Sequence, residues 1–211
     1  MKLTKEQLAM LETPCVILDV AQARRNIEAM QAAADAAGCA LRPHIKTHKM
    51  AVFARMQVEA GAQGITCAKV SEAETMAAGG LRDIFIAYPM VGAFRIRRAL
   101  ALAPKLDRLI LAVDSWECAR ELSDAAQAAG LCLEVRLEID TGAGRTGVPL
   151  EHAAALAQRI AAMPGLSSLP EKAPDCNSKR CGSQASTLSK GLFTRARPRR
   201  TTSLPQKKRA R

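Results

Sequence analysis

The sequence predicts an α/β fold built on a parallel sheet, and three observations predict it. Short β-branched or aliphatic runs alternate with Ala-rich stretches of helical spacing from about residue 13 to residue 169. Each run and its stretch take roughly 20–25 residues, the length of one β-α unit. The chain has 211 residues, 48% of them apolar, enough for one large domain with a buried core and too many for a wholly disordered chain. Regular alternation with short connections sets the strands parallel and the helices over them, as a (β/α) barrel or an open doubly wound sheet.

The elements follow in order. Residues 1–12, MKLTKEQLAMLE, read as a helical lead-in. Lys5, Glu6, Gln7 and Glu12 break its apolar positions, which does not suit a signal peptide, and a cytoplasmic location is expected. Pro14–Val20 is the first β-like run. Leu41–Thr47, Ile65–Val70, Ile84–Tyr88, Arg108–Asp114 and Leu131–Asp140 are five further runs, and a sixth strand should begin at Gly165. Between them Val20, Ala23, Ile27, Met30, Ala34 and Ala37 recur at helical intervals, as do Trp116, Ala119, Leu122, Ala126 and Ala129, and Leu156, Ile160 and Met163. Ser71 to Glu74 reads as a capping box and Asp114 to Glu117 resembles one. Gly38, Gly61 and Gly130 stand where helix-ending glycines belong. No apolar run approaches the eighteen or so residues that span a bilayer, so no membrane partner is expected.

The texture breaks after Gly165-Leu-Ser-Ser-Leu-Pro170. Residues 170–211 are rich in Ser, Arg, Lys and Pro and predict a disordered basic tail. Twelve of the 31 basic and two of the 20 acidic residues fall in 171–211, so nearly all of the net charge of +11 sits there. The high net charge therefore says little about the body of the chain. Such an abrupt switch is what an out-of-frame segment would produce. Cys15, Cys39, Cys67, Cys118 and Cys132 are scattered singly, as reduced thiols are. Cys176 and Cys181 lack the CxxC pairing of a zinc site, and no metal ligands are assigned.

Two stretches carry chemistry. In Leu41-Arg-Pro-His-Ile-Lys-Thr-His48, strand alternation would set Arg42, His44, Lys46 and His48 on one face and Leu41, Pro43, Ile45 and Thr47 on the other. The basic face would then meet the sheet interior or its carboxyl rim, where β/α enzymes place their sites. Desolvation and neighbouring cations would favour a neutral Lys46 amine, the form that attacks an aldehyde. The plainer reading is a basic strand end reaching solvent. In Leu133-Glu-Val-Arg-Leu-Glu-Ile-Asp140, followed by Thr141-Gly-Ala-Gly-Arg-Thr-Gly147, a strand enters a glycine-rich turn. The turn would let backbone approach a ligand, with Arg145 donating to an anionic oxygen and Glu138 or Asp140 holding its guanidinium. The alternative is an ordinary β-α turn with a solvated Arg.

Four segments in order carry a family resemblance: Thr13-Pro14 with the run to Asp19, Arg42-Pro-His-Ile-Lys-Thr-His-Lys49, Cys67-Ala-Lys-Val-Ser-Glu-Ala-Glu74, and Glu138-Ile-Asp-Thr-Gly-Ala-Gly-Arg-Thr-Gly-Val148. Over about residues 10–169 the chain resembles the fold-type III pyridoxal-phosphate enzymes of the alanine racemase type, in the D-threonine aldolase and D-serine dehydratase branch. The PHxKTHK string is the specific part. The resemblance implies a (β/α)₈ barrel, of which residues 13–169 would be a part with about five strands, followed in relatives by a β-domain. It implies pyridoxal 5'-phosphate as cofactor, with Lys46 as the Schiff-base lysine. Arg145 would meet the phenolic oxygen of the cofactor, Glu138 would orient Arg145, and His44 and His48 would tune Lys46 or touch the cofactor, with structural packing an equal reading of both rings. Intact relatives would also need a divalent metal, whose His and Asp ligands lie in the part of the family pattern that this chain does not match.

The activity so implied is a lyase acting on a small D-3-hydroxy amino acid, cleaving it to glycine and an aldehyde. A D-serine dehydratase or a racemase of the same family is the alternative. A second class remains open: a non-catalytic cofactor-binding fragment, or an anion-binding or nucleic-acid-binding fragment whose tail makes nonspecific phosphate contacts. A homodimer is the expected assembly. Lys69, Glu72 and Tyr88 are weaker candidates for the edge of the site; His48 is as well explained by packing, Glu74 by its cap, and His152 is given no role.

Overall fold

The computed structural model describes residues 3–168, so the expected tail at 170–211 lies outside the described residues. Five strands form one sheet: β1 (Ile65–Cys67), β2 (Asp83–Pro89), β3 (Arg108–Val113), β4 (Leu133–Leu137) and β7 (Leu166–Ser167). Their order in the sheet is β1-β2-β3-β4-β7 and every pairing is parallel. A two-stranded parallel pair, β5 (Ile139–Asp140) and β6 (Val148–Pro149), lies beyond β4. The helices are α1 (Lys5–Ala9), α2 (Val20–Ala36), α3 (Ala51–Glu59), α4 (Val70–Ala78), α5 (Ala93–Leu102), α6 (Trp116–Ala128) and α7 (Leu150–Ala161).

Strand periodicity separates the two faces. Ile84 and Ile86, Leu109 and Leu111, and Leu133 and Val135 pack into one core with Met76, Ala99, Leu122 and Ile160 from α4 to α7. Phe85, Ile110 and Ala112, of the opposite parity, form a separate small cluster with Ala87. Helices cover one face of a sheet whose strands run in sequence order. That is the wall of a β/α barrel and not a doubly wound sheet, which carries helices on both faces.

The helix punctuation follows local chemistry. Asp19 caps α2 by accepting from Gln22 N at 2.9 Å, and Thr4 and Gln7 form a reciprocal capping box at α1. Gly38 and Gly130 follow the last residues of α2 and α6 at φ of 63° and 64°, as expected of left-handed terminators. Helix α7 packs on α6 with the Arg159 guanidinium 4.0 Å from the Trp116 ring centroid.

Several expectations are corrected. Pro14–Val20 is not a strand: Val16 is 90% exposed, and no ladder partner for the run occurs among the described residues. Leu41–Thr47 pairs with β1 through one bridge, His44 to Thr66, and then turns into a 3₁₀ helix over Ile45–Thr47. Leu131–Asp140 splits at Glu138 into β4 and β5. Ser71 lies inside α4, whose N-cap is Lys69 without a side-chain bond. Ser115, not Asp114, caps α6 through Cys118 N at 3.2 Å. Along α2, Gln31 is the buried position, whereas Val20 and Met30 are more than half exposed.

Candidate active site

The carboxyl rim of the sheet begins at the segment beside β1. Gln63 N donates to Leu41 O at 2.9 Å and Thr66 N to Pro43 O at 2.8 Å, holding residues 41–44 alongside β1. Ile45 is fully buried and pins the turn to the core. A 3₁₀ helix rotates roughly 120° per residue, against the half-turn of a strand. Arg42, His44, Lys46 and His48 therefore do not share one face. Arg42 pairs with Asp83 at the start of β2, whereas Lys46 is exposed on the turn and makes no ion pair among the described residues.

His44 caps that turn. Its Nδ1 accepts from Lys46 N at 3.2 Å, which places the ring proton of the neutral form on Nε2. Burial, and then the Lys46 charge, lower its pKa, with Glu72 opposing them, so the ring favours the neutral form. His48 Nδ1 accepts from Met50 N at 3.0 Å and its ring meets Phe53 edge-on, 5.8 Å between centroids. Burial lowers its pKa too. Lys49 forms an ion pair with Glu72.

The glycine-rich turn stands beyond β4. Glu138 N donates to Val113 O at 2.8 Å, and Glu138 Oε1 accepts from Thr146 Oγ1 at 2.7 Å. Asp140 Oδ1 takes the N–H groups of Gly142, Ala143 and Gly144 at 2.9, 2.9 and 3.1 Å; the Gly144 and Gly142 bonds lower its pKa most. Gly147, at φ 103°, passes so close to Asp140 that a Cβ there would lie 2.6 Å from Asp140 N. Arg145 is exposed and pairs with neither Glu138 nor Asp140. The carboxylates shape the turn, and the guanidinium has no partner among the described residues.

Lys69 and Tyr88 come together where the sequence set them at successive strand ends. They line a cleft of about 690 Å³ at the carboxyl ends of β1 and β2, with Phe94, Arg95 and Arg98 from α5. Lys46 and Arg145 are not among its lining residues. Arg95 lies 5.7 Å from the Tyr88 ring centroid, and Arg98 is paired with Glu74, which gives Glu74 a partner in place of the expected cap. No sequence motif marks these arginines; they follow Gly92, at φ 89°, in the first turns of α5. His152 is exposed on α7. Among the described residues no group of three or more His, Cys, Asp or Glu side chains is placed to hold a metal, and no helix is long and apolar enough to cross a membrane.

Comparison with known proteins gives a consistent family. The model of the alanine racemase N-terminal domain matches residues 18–169. A D-threonine aldolase from Arthrobacter sp is 39% identical over 162 residues, 76% of this chain and 42% of that protein. A D-threo-3-hydroxyaspartate dehydratase from Delftia sp. (strain HT23) is 40% identical over 144 residues, 68% of this chain and 38% of its own length. Among solved structures, D-threonine aldolase from Filomicrobium marinum superposes with a TM-score of 0.73 at 37% identity, covering 76% of this chain and 43% of that one. The chain thus spans about two fifths of the length of these relatives.

Proposed function

The chain belongs to the alanine racemase N-terminal domain family, and from that membership we propose that it is the cofactor-holding part of a pyridoxal 5'-phosphate-dependent lyase acting on D-3-hydroxy amino acids. The D-threonine aldolase type is the specific reading. Residues 13–169 would form the cofactor-binding unit, with residues 1–12 as lead-in. The observation that carries the proposal is Lys46: an exposed amine, without an ion pair among the described residues, on a turn fixed at the carboxyl rim of a parallel sheet.

The donor set suits such a cofactor. A primary amine would meet its aldehyde, a guanidinium without a partner among the described residues would meet its phenolic oxygen, and an imidazole biased to the neutral form leaves the amine without a further competing charge. Lys46 Nζ would hold the cofactor. His44 Nδ1, bonded to Lys46 N, orients the backbone from which that amine projects. Arg145 would donate to the phenolic oxygen, and Glu138 braces its turn through Thr146. When bound, pyridoxal phosphate supplies an electron sink for the pair released at the substrate Cα. This chain's residues provide attachment, orientation and a carboxyl-rim position for that event.

The test is product analysis with the full chain and added pyridoxal 5'-phosphate. D-Threonine should yield glycine and acetaldehyde in equal amounts, with L-threonine inert and the activity absent from Lys46→Ala. Formation of a 2-oxo acid and ammonia would favour the dehydratase reading, which rests on the comparable identity to the Delftia dehydratase. No turnover of either kind, with the cofactor bound, would reduce the chain to a cofactor-binding fragment.

A further inference from the structure

Glu72 is the one charged residue that is buried among the described residues, at 6% exposure. It stands in the first turn of α4, and its Oε2 accepts the Ala68 N–H at 2.8 Å while its Oε1 engages the Lys49 ammonium. Lys49 is also the one non-glycine residue at positive φ among the described residues, at 52°. L residues enter that left-handed region at a cost, so something must hold it there. The held geometry turns the chain from Ile45–Thr47 into α3. Lys49 N donates to Ile45 O at 2.8 Å, and His48 N donates to the same oxygen at 3.2 Å. One end of the turn is pinned by fully buried Ile45, the other by the tie from Lys49 to Glu72. Lys46 stands between them.

Resting on the reading of Lys46 above, we infer that Lys49 and Glu72 are a positioning pair that fixes the Lys46 backbone at the carboxyl rim and, by engaging the Lys49 ammonium, leaves Lys46 as the reactive amine of this segment. Glu72 suits the role. Burial alone would raise its pKa, but the bonds from Lys49 and Ala68 N and the charges of Lys49 and Lys69 outweigh burial and hold the carboxyl below its usual range. It is therefore a carboxylate at neutral pH, with both oxygens spoken for. An amine held by a carboxylate is a poor competitor for an aldehyde, so two lysines three residues apart are given different tasks.

The test uses the full 211-residue chain with pyridoxal 5'-phosphate as probe, borohydride reduction and peptide mapping. The readout is the ratio of adduct at Lys46 to adduct at exposed Lys105, an internal reference in the same molecule outside the groups that act on Glu72. Lys49→Met should lower that ratio at least about tenfold, since small displacements of a reacting group cost rates of that order. Lys49→Arg keeps the cation and should stay within about twofold of the parent. Glu72→Gln should lower the ratio as Lys49→Met does and should bring adduct to Lys49 itself. Ser123→Ala, which removes a bond to Pro164 O and touches none of these groups, should lower stability and leave the ratio unchanged.

An unchanged ratio in both Lys49→Met and Glu72→Gln would overturn the inference. If the parent chain shows no preference for Lys46, the reading of Lys46 fails, and amide exchange at His48 and Lys49 decides on the pair by itself. Faster exchange in Lys49→Met with protection regained in Lys49→Arg would uphold it; equal exchange in all three would overturn it.

Discussion

Arg42 closes on Asp83 with both arms of its guanidinium, Nη1 at 2.7 Å from Oδ1 and Nη2 at 3.0 Å from Oδ2. The pair starts a chain of charges that opens at the amino ends of β2 and β3 and reaches along β4. Asp83 lies 3.7 Å from Arg108, Arg108 meets Glu134 with two bonds of 2.7 Å, and Arg136 closes on Glu134. Asp83, Arg108, Glu134 and Arg136 share the strand parity of Phe85, Ile110 and Ala112, so the chain of charges lies on the face that the helices leave uncovered. In a β/α barrel that end serves stability, and chemistry stands at the other.

Replacing Arg42 with Met should therefore destabilise the fold without altering the chemistry of Lys46. Both partners are mostly buried, with side chains 15% and 22% exposed, so the remaining carboxylate loses a charge-assisted partner. The expected loss is about 1–3 kcal/mol, read as a lower urea midpoint at unchanged slope. A double-mutant cycle with Asp83→Asn should show coupling, because the two groups are in contact.

Gly64 makes room for this pair. A Cβ there would stand 2.3 Å from Arg42 Nη1 and 2.6 Å from Asp83 O, and the second neighbour is backbone. Gly64→Ala should cost about 1–3 kcal/mol by overpacking, although the site is on no helix or strand. An Arg42→Met background should relieve part of that cost, since the nearest clash leaves with the guanidinium.

These contacts mark the boundary of what the sequence makes legible. The parallel β/α alternation was readable because Ile84 and Ile86, or Leu133 and Val135, repeat a pattern that only burial explains. Gly38 and Gly130 were readable because a left-handed terminator favours glycine. Arg42 was not readable, because its partner lies 41 residues away and no local pattern names it. The turn at Ile45–Thr47 hid behind an alternation that suits a strand equally well, and the left-handed Lys49 that closes it has no local signature. The misplaced capping box has a similar cause: Glu72 reaches back past the N-cap to Ala68 N, so the entry to α4 is held by a residue inside the helix. The Gly142–Gly147 turn is legible from residue type, whereas the partner of Glu138 is not. Thr146 takes that place, and Arg145 has no partner among the described residues.

Stability should fall as pH drops from about 7.5 to about 5.5. Burial sets the pKa values of His44 and His48 below their ordinary 6.5, so between the folded and unfolded values the unfolded chain binds more protons. The contribution is fully present above pH 6.5 and is lost as pH falls toward the folded values. Urea midpoints at the two pH values check this, and a His44→Gln, His48→Gln chain should show a flatter profile. Equal or greater stability at the lower pH would contradict the burial of both rings.

The thiols should divide by depth. Burial pushes the Cys67 thiol up to about 12, with Glu72 adding to the effect, and pushes Cys118 up to about 11. Cys15 and Cys39 are exposed. Iodoacetamide at neutral pH, followed by mass mapping, should label Cys15 and Cys39 in the folded chain and reach Cys67 and Cys118 only after denaturation.

Under the proposed function, Lys46 is the amine this fold presents to an aldehyde cofactor. The most direct measurement is borohydride reduction of the full chain equilibrated with stoichiometric pyridoxal 5'-phosphate, followed by quantitative mapping of every lysine. A single dominant adduct at Lys46 is expected, lost in Lys46→Ala and not transferred to Lys49. Adduct spread evenly over Lys46, Lys49 and Lys69, or none at Lys46, would contradict it.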